Sequence, residues 1–282
     1  MDIKTVCQGN NHFMIHRLLL LSFTCVYLMT ACSPSDSTNA AKVKTDFAPA
    51  AAPEQTPAKT PDPAALLGRA YAAHGGESFD EARYGFTFRG KRYNFITESG
   101  HQIYSRSYSK EDRVVYEGIE KENFTQTIDG KRQQLTAKET AAGYESLNSV
   151  IYFATLPYKL RDPAVNLYPA GTTTIKGKSY DVLSVNFDKV GGGVDHDDNF
   201  MYWINKQTDR IDYLAYDYKT NKGGVRFRSA YNPRVVAGVL FQDYVNYKAT
   251  LGTSLTDLPD LFEKGQLEEL SRIETEEVVQ LD

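Results

Sequence analysis

The sequence predicts an α+β fold, mainly antiparallel β: a curved sheet or half-barrel wrapped around a central helix, with a further helix at its N-terminal end. Three observations predict it. Short segments in which large apolar and polar residues alternate recur from Tyr84 to Tyr247, the two-residue period of strands. The links between them, such as Asp129-Gly130 and Lys176-Gly177-Lys178, are too short for crossover helices, so neighbouring strands run antiparallel. One apolar helical stretch, Thr136–Leu160, interrupts the strands and needs something to enclose it.

The chain opens on an address. Leu18 to Met29 is an apolar run of twelve residues, preceded by His16-Arg17 and followed by Thr30-Ala31-Cys32. A basic flank, an apolar core and small residues before a cleavage point describe an export signal. The run is shorter than the roughly 20 residues a bilayer span needs. The Cys after the small residues resembles the lipobox of bacterial lipoproteins, which implies that Cys32 is acylated and becomes the mature N-terminus. Met14 is an alternative start. Cys7 and Cys25 lie in the removed segment, so no disulfide or Cys-based metal site is expected in the mature monomer. A net charge of −4 gives no general attraction to nucleic acid. The expected organisation is a signal peptide over 1–31, a lipidated Cys and disordered tether over 32–61, and a single half-barrel-like domain over 62–282. The tether is rich in Ala, Pro, Ser and Thr, and such a composition cannot bury enough surface to fold.

The folded part begins at Asp62-Pro63, an N-cap acid with Pro at the first helical position. Leu66, Leu67, Ala70 and Tyr71 form one face, and Gly75-Gly76 ends the helix. His74 sits at the C-terminal end, where the helix dipole favours a cation. Strands follow around Tyr84–Phe88, Tyr93–Ile96, Tyr104–Tyr108, Val114–Ile119 and Phe124–Ile128. The central helix opens on a Thr136/Glu139 capping box. Leu147, Val150, Ile151 and Ala154 make an apolar stripe, and Pro157 stops the helix. Further strands are expected at Thr172–Lys176, Tyr180–Phe187, Phe200–Asn205, Ile211–Tyr218, Gly224–Ser229 and Val239–Tyr247. The tail supplies a short helix over Asp260–Leu270 and a last strand over Arg272–Val279.

Several strands carry large apolar residues on both faces; Phe200-Met201-Tyr202-Trp203-Ile204 is the clearest. Either both sides of the sheet are covered, or one side lines a cavity. A cavity would be lined from the helix by Val150, Ile151, Tyr152, Phe153 and Leu156. The strands would add Trp203, Tyr213, Phe227, Tyr231, Phe241 and Tyr244. Arg226 and Arg228 share a strand face opposite Phe227, where they could meet a carboxylate or phosphate head group or form a wet outer face. Asp195, His196, Asp197 and Asp198 follow Gly191–Gly193. They could hold Ca²⁺ or Zn²⁺, although their spacing matches no established motif, and the plain reading is a solvated hairpin loop. No nucleophile elbow, phosphate loop or dinucleotide fingerprint occurs, so no cofactor is expected.

Ala73-His74-Gly75-Gly76, Asn148–Val165, Phe200–Tyr218, Arg226–Tyr247 and Leu261–Glu274 together resemble a family of bacterial outer-membrane lipoproteins known as a domain of unknown function. More loosely, the order of helix, strands, central helix and strands is similar to that of the lipoprotein-localisation carriers, whose half-barrel holds acyl chains. That resemblance implies an envelope lipoprotein, facing the periplasm or the cell surface, whose central helix is a plug or lid. The two-faced apolar strands and the apolar helix point to a carrier or binding lipoprotein for an acyl or lipid-like ligand, expected to be a monomer held to the membrane by its lipid. Fold analogy transfers no function, and no catalytic residue is carried over. The rival readings are a hydrolytic or metal-dependent enzyme using Asp195–Asp198, and a structural module with a closed core.

Overall fold

The alternating segments form two antiparallel sheets of seven strands each among the described residues. The computed structural model describes residues 61–98, 100–189, 198–219 and 222–282. The export signal, Cys32, the tether and Asp195–Asp197 lie outside them. The first sheet is built from β1 (Arg83–Phe88), β2 (Lys91–Glu98), β3 (His101–Lys110), β4 (Arg113–Glu120), β5 (Asn123–Ile128) and β6 (Lys131–Arg132). The second holds β7 (Val165–Ile175), β8 (Lys178–Phe187), β9 (Asn199–Asn205), β10 (Ile211–Tyr218), β11 (Gly224–Val236), β12 (Val239–Ala249) and β13 (Glu268–Ile273). The final strand, β14 (Glu276–Gln280), returns to the first sheet beside β1. Asp129 and Gly130 make the expected hairpin turn, at φ 51° and 74°, the left-handed pair that matches strand twist.

The last strands differ from expectation. The single strand foreseen over Arg272–Val279 is two, because Thr275 turns its N–H away from any ladder to the Asp243 carboxylate, 2.9 Å away. Only Glu274 and Thr275 separate β13 from β14. The chain therefore passes from the end strand of one sheet straight to the end strand of the other, and the two curled sheets form an open half-barrel. The helix foreseen over Asp260–Leu270 is α3 (Leu258–Glu263). It starts earlier because Pro259 suits a first turn and ends earlier because Gly265 takes φ +65°. Strand β7 starts seven residues before the Thr172 expected, at Val165.

The central helix α2 (Ala137–Ala154) joins β6 to β7, the free edges of the two sheets. Its capping box is present: the Thr136 N–H donates to Glu139 Oε2 at 2.8 Å and the Glu139 N–H to Thr136 Oγ1 at 3.3 Å. It ends before Pro157, at Ala154, and Tyr158–Arg161 is a separate 3₁₀ turn. Gly143 lets it approach β5, since a Cβ there would stand 2.3 Å from the Phe124 ring. Only Leu147 and Ile151 of α2 are fully buried, against Phe86, Phe95, Tyr104 and Ile119 of the first sheet. Burial of such side chains contributes about 1.5–3 kcal/mol each. Tyr152 and Phe153, half-buried, turn to the second sheet instead. Beneath the helix, Arg106 donates from Nε to Glu117 at 2.6 Å and from Nη1 to Ser146 of α2 at 2.9 Å.

The second sheet is covered on both faces. On the inner side, Leu66, Leu67 and Ala70 of α1 (Pro63–Ala73), with Leu156 and Leu160, pack on Leu183, Tyr202 and Leu214. On the outer side, Trp203, Tyr213 and Phe227 lie under Leu255, Leu258 and Phe262. His74 departs from the expected dipole-stabilised cation. It is 1% exposed, and its Nε2 accepts the Ile211 N–H at 3.1 Å. Burial, with Arg210 adding to it, holds the imidazole down at about 3, so the ring is neutral. Among the described residues, no helix is long and apolar enough to cross a membrane.

Candidate functional site

Because α2 buries so little of itself, space remains on both of its flanks. The larger cavity, about 610 Å³, opens between α2, the β3–β4 side of the first sheet and the β7–β9 side of the second. Tyr152 is its centrepiece. Its hydroxyl lies 2.9 Å from the Tyr202 hydroxyl, and its ring centre is 6.3 Å from Phe187 and 6.2 Å from Phe200. Those two rings meet edge to face at 5.5 Å. Tyr104 and Ile119 form the opposite wall. Exposed Lys121, Glu122 and Asp188 mark the solvent side. The polar groups here are tied to one another. Lys159 Nζ bridges Asp162 at 2.6 Å and Gln102 Oε1 at 3.3 Å, and Gln102 Nε2 donates to the Tyr158 hydroxyl at 3.0 Å. Burial, reinforced by Asp162, pushes the Tyr104 phenol up, so it is a neutral donor, bonded to Gln102.

The smaller cavity, about 240 Å³, lies on the other flank, between α2 and strands β11, β12 and β13, with Phe88 and Arg89 at one end. Val150, Phe153 and Ala154 are its helical wall, and Tyr244 lies across from them. Arg228 lines it from β11. Its guanidinium carbon stands 3.8 Å from the centre of the Phe153 ring and 5.2 Å from that of Tyr216, a cation–π arrangement. Its Nη2 donates to the Tyr216 hydroxyl at 2.9 Å. Burial pushes the Tyr244 phenol up to about 12, the Arg228 charge opposing it. Ser149 and Phe153 line both cavities.

Of the side chains the sequence nominates, Val150, Tyr152, Phe153, Tyr244 and Arg228 are brought together around α2. Ile151 and Leu156 are core residues, 0% and 4% exposed. Phe241 packs edge-on against Tyr84, 5.6 Å between ring centres. Trp203, Tyr213 and Phe227 belong to the outer layer under α3. Tyr231 donates to Glu274 at 2.7 Å, and Arg226 is bonded to Tyr218 and to its neighbour's carbonyl; neither lines either of these two cavities. Asp198 is buried. Among the described residues, no cluster of three or more His, Asp or Glu could hold a metal ion. The sequence reading missed Ser149, Gln242 and Asn246. The two on β12 carried a signal: with Tyr244 they fall at i, i+2 and i+4, which places polar groups on the inward register.

Residues 93–275 match the profile of a family described as a "Family of unknown function (DUF6503)". No curated protein matches the sequence. Among solved structures, the chain is similar to a LolA superfamily protein from Nitrosomonas europaea, at a TM-score of 0.46 and 10% identity over 78% of this chain and 94% of that one. It is also similar to a DUF1329 family protein from Desulfovibrio piger, at a TM-score of 0.35 and 12% identity over 74% of this chain and 100% of that one. A third is the Mycobacterium tuberculosis lipoprotein LppX, at a TM-score of 0.26 and 15% identity over 58% of this chain and 91% of that one.

Proposed function

Since the chain belongs to the DUF6503 family, whose function is unknown, we propose its role from its own cavities: it is a non-enzymatic envelope lipoprotein that binds an acyl or similarly lipid-like ligand beside α2. The observation that carries this reading is the cavity of about 610 Å³ walled by Tyr152, Phe187 and Phe200. Its size falls within the roughly 300–1,000 Å³ of small-molecule sites, whose lining is typically apolar and aromatic with a few polar groups. Paired polar groups and a charged mouth suit a ligand whose apolar part enters and whose other end stays wet. The helix between the two sheets then serves as the inner wall of the site. The lipid on Cys32 and the tether to residue 61 hold the domain at the outer membrane as a monomer.

Protein purified from the cell envelope carries co-eluting lipid in native mass spectrometry. Ser149→Trp, which projects an indole where both cavities meet, loses most of that lipid while unfolding at the wild-type temperature. A wild-type protein that is free of lipid and takes up no fatty-acyl probe overturns the reading. For the anchor, metabolic labelling with palmitate marks the wild-type chain and leaves Cys32→Ser unlabelled; label that persists in the variant refutes acylation at Cys32.

A further inference from the structure

Buried polar side chains are almost always hydrogen-bonded, and each exception calls for an explanation. Seven buried side-chain atoms among the described residues make no hydrogen bond. Asp181 Oδ1 is instead ion-paired to Lys206 at 3.2 Å, and three others belong to the walls of the smaller cavity: Arg228 Nε, Gln242 Oε1 and Asn246 Oδ1. None belongs to the walls of the larger one. Strand register explains the grouping. Asn246 stands opposite Arg228 across β11 and β12, and Gln242, Tyr244 and Asn246 follow one another on the same face, each pair about 7 Å apart. The Gln242 amide is oriented by its other contact, since Nε2 donates to the Ile211 carbonyl at 3.0 Å, which leaves Oε1 as an acceptor in want of a donor. Arg228 is 7% exposed, and no carboxylate lies within ion-pair distance of it among the described residues. A guanidinium cannot shed its charge, so among the described residues this buried cation has no counter-ion. That is costly unless something supplies one.

We propose that the smaller cavity is a head-group site for an anionic amphiphile. Arg228 takes a carboxylate or phosphate oxygen, and Gln242 Oε1 accepts from a hydroxyl or amide N–H next to that anion. Phe153 and Tyr244 flank the head group, and Ser149, which lines both cavities, marks where the apolar part passes round α2 into the larger one. The volume, about 240 Å³, suits a head group and a few carbons rather than a whole lipid; it equals roughly eight water molecules at about 30 Å³ each. This inference rests on the acyl-binding reading and adds the ligand's charge and the residue that selects it.

The test uses the envelope-extracted chain, stripped of co-purifying lipid, with three probes of equal chain length: dodecanoate, dodecyl phosphate and dodecanol. Wild-type protein binds at least one of the two anions at least tenfold more tightly than the alcohol, and the stronger anion identifies the head-group class. Arg228→Met loses that preference and keeps its affinity for dodecanol, while Arg228→Lys recovers part of it. The preferred anion raises the wild-type melting temperature more than dodecanol does, and that excess disappears in Arg228→Met, a readout that a merely structural arginine would not give. Equal affinity of wild-type protein for all three probes overturns the head-group site and leaves the acyl-binding reading standing. So does an Arg228→Met variant that keeps the anion preference. Failure of all three probes to bind overturns both.

Discussion

Arg106 and Arg228 reach the concave side from opposite sheets, and the fold treats them differently. Each is nearly inaccessible, at 5% and 7% exposed, and each touches α2. Arg106 has a full complement around it: Glu117 at 2.6 Å and Ser146 at 2.9 Å, with Gln126 holding the second Glu117 oxygen at 2.8 Å. Arg228 has aromatic rings and one phenol. A satisfied buried ion pair fixes how a helix sits on a sheet, whereas a buried cation with no ion partner among the described residues carries an uncompensated cost. The first sheet therefore seats the helix, and the second holds the uncompensated charge.

The comparison breaks most visibly at Glu117. Glu117→Ala leaves Arg106 buried without a counter-charge, and a loss of about 3–5 kcal/mol is expected in denaturant unfolding; the double variant with Arg106→Met recovers most of it. A loss below about 1 kcal/mol would mean that the first arginine is no more structural than the second. His74 sharpens the contrast, because it too is buried with one nitrogen bonded and the other, Nδ1, without a partner. Its folded value of about 3 lies below the ordinary value near 6.5. The unfolded chain therefore takes up a proton that the folded chain refuses, and stability falls as pH drops through that window. The slope is about 1.4 kcal/mol per pH unit, or about 2 kcal/mol between pH 6 and 4.5. His74→Gln flattens this part of the stability–pH curve; an unchanged slope would assign it to carboxylates. The smallest expected effect is that of Arg228→Met on stability, within about 1 kcal/mol, because relief of an uncompensated charge offsets the lost ring and phenol contacts.

Local chemistry made the frame of this fold legible and left the choice of faces hidden. The Thr136/Glu139 box, the stop before Pro157 and the Asp129-Gly130 turn are decided within a few residues, and they lie where the sequence places them. Alternation says that Trp203 and Tyr202 face opposite ways, but not which way is inward. That depends on α3 covering Trp203 while α1 covers Tyr202, contacts made by residues far away in the chain. Hence the alternation alone groups Trp203, Tyr213 and Phe227 with Tyr152 and Phe153, although a whole sheet separates them. The pairing of Arg106 with Glu117, and its lack at Arg228, is likewise a property of register, fixed only once β3 meets β4 and β11 meets β12.

The short Glu274-Thr275 step between β13 and β14 also governs the order in which the molecule can be assembled. β14 pairs with β1, bringing Gln280 against Tyr84, so the first sheet has a bare edge until the last few residues arrive. Pairings of such long sequence separation form late and slowly, and an open edge recruits other chains. A chain made N-terminus first therefore covers β1 only after residues 276–280 have emerged, and loss of β14 would leave β1 as a site for aggregation.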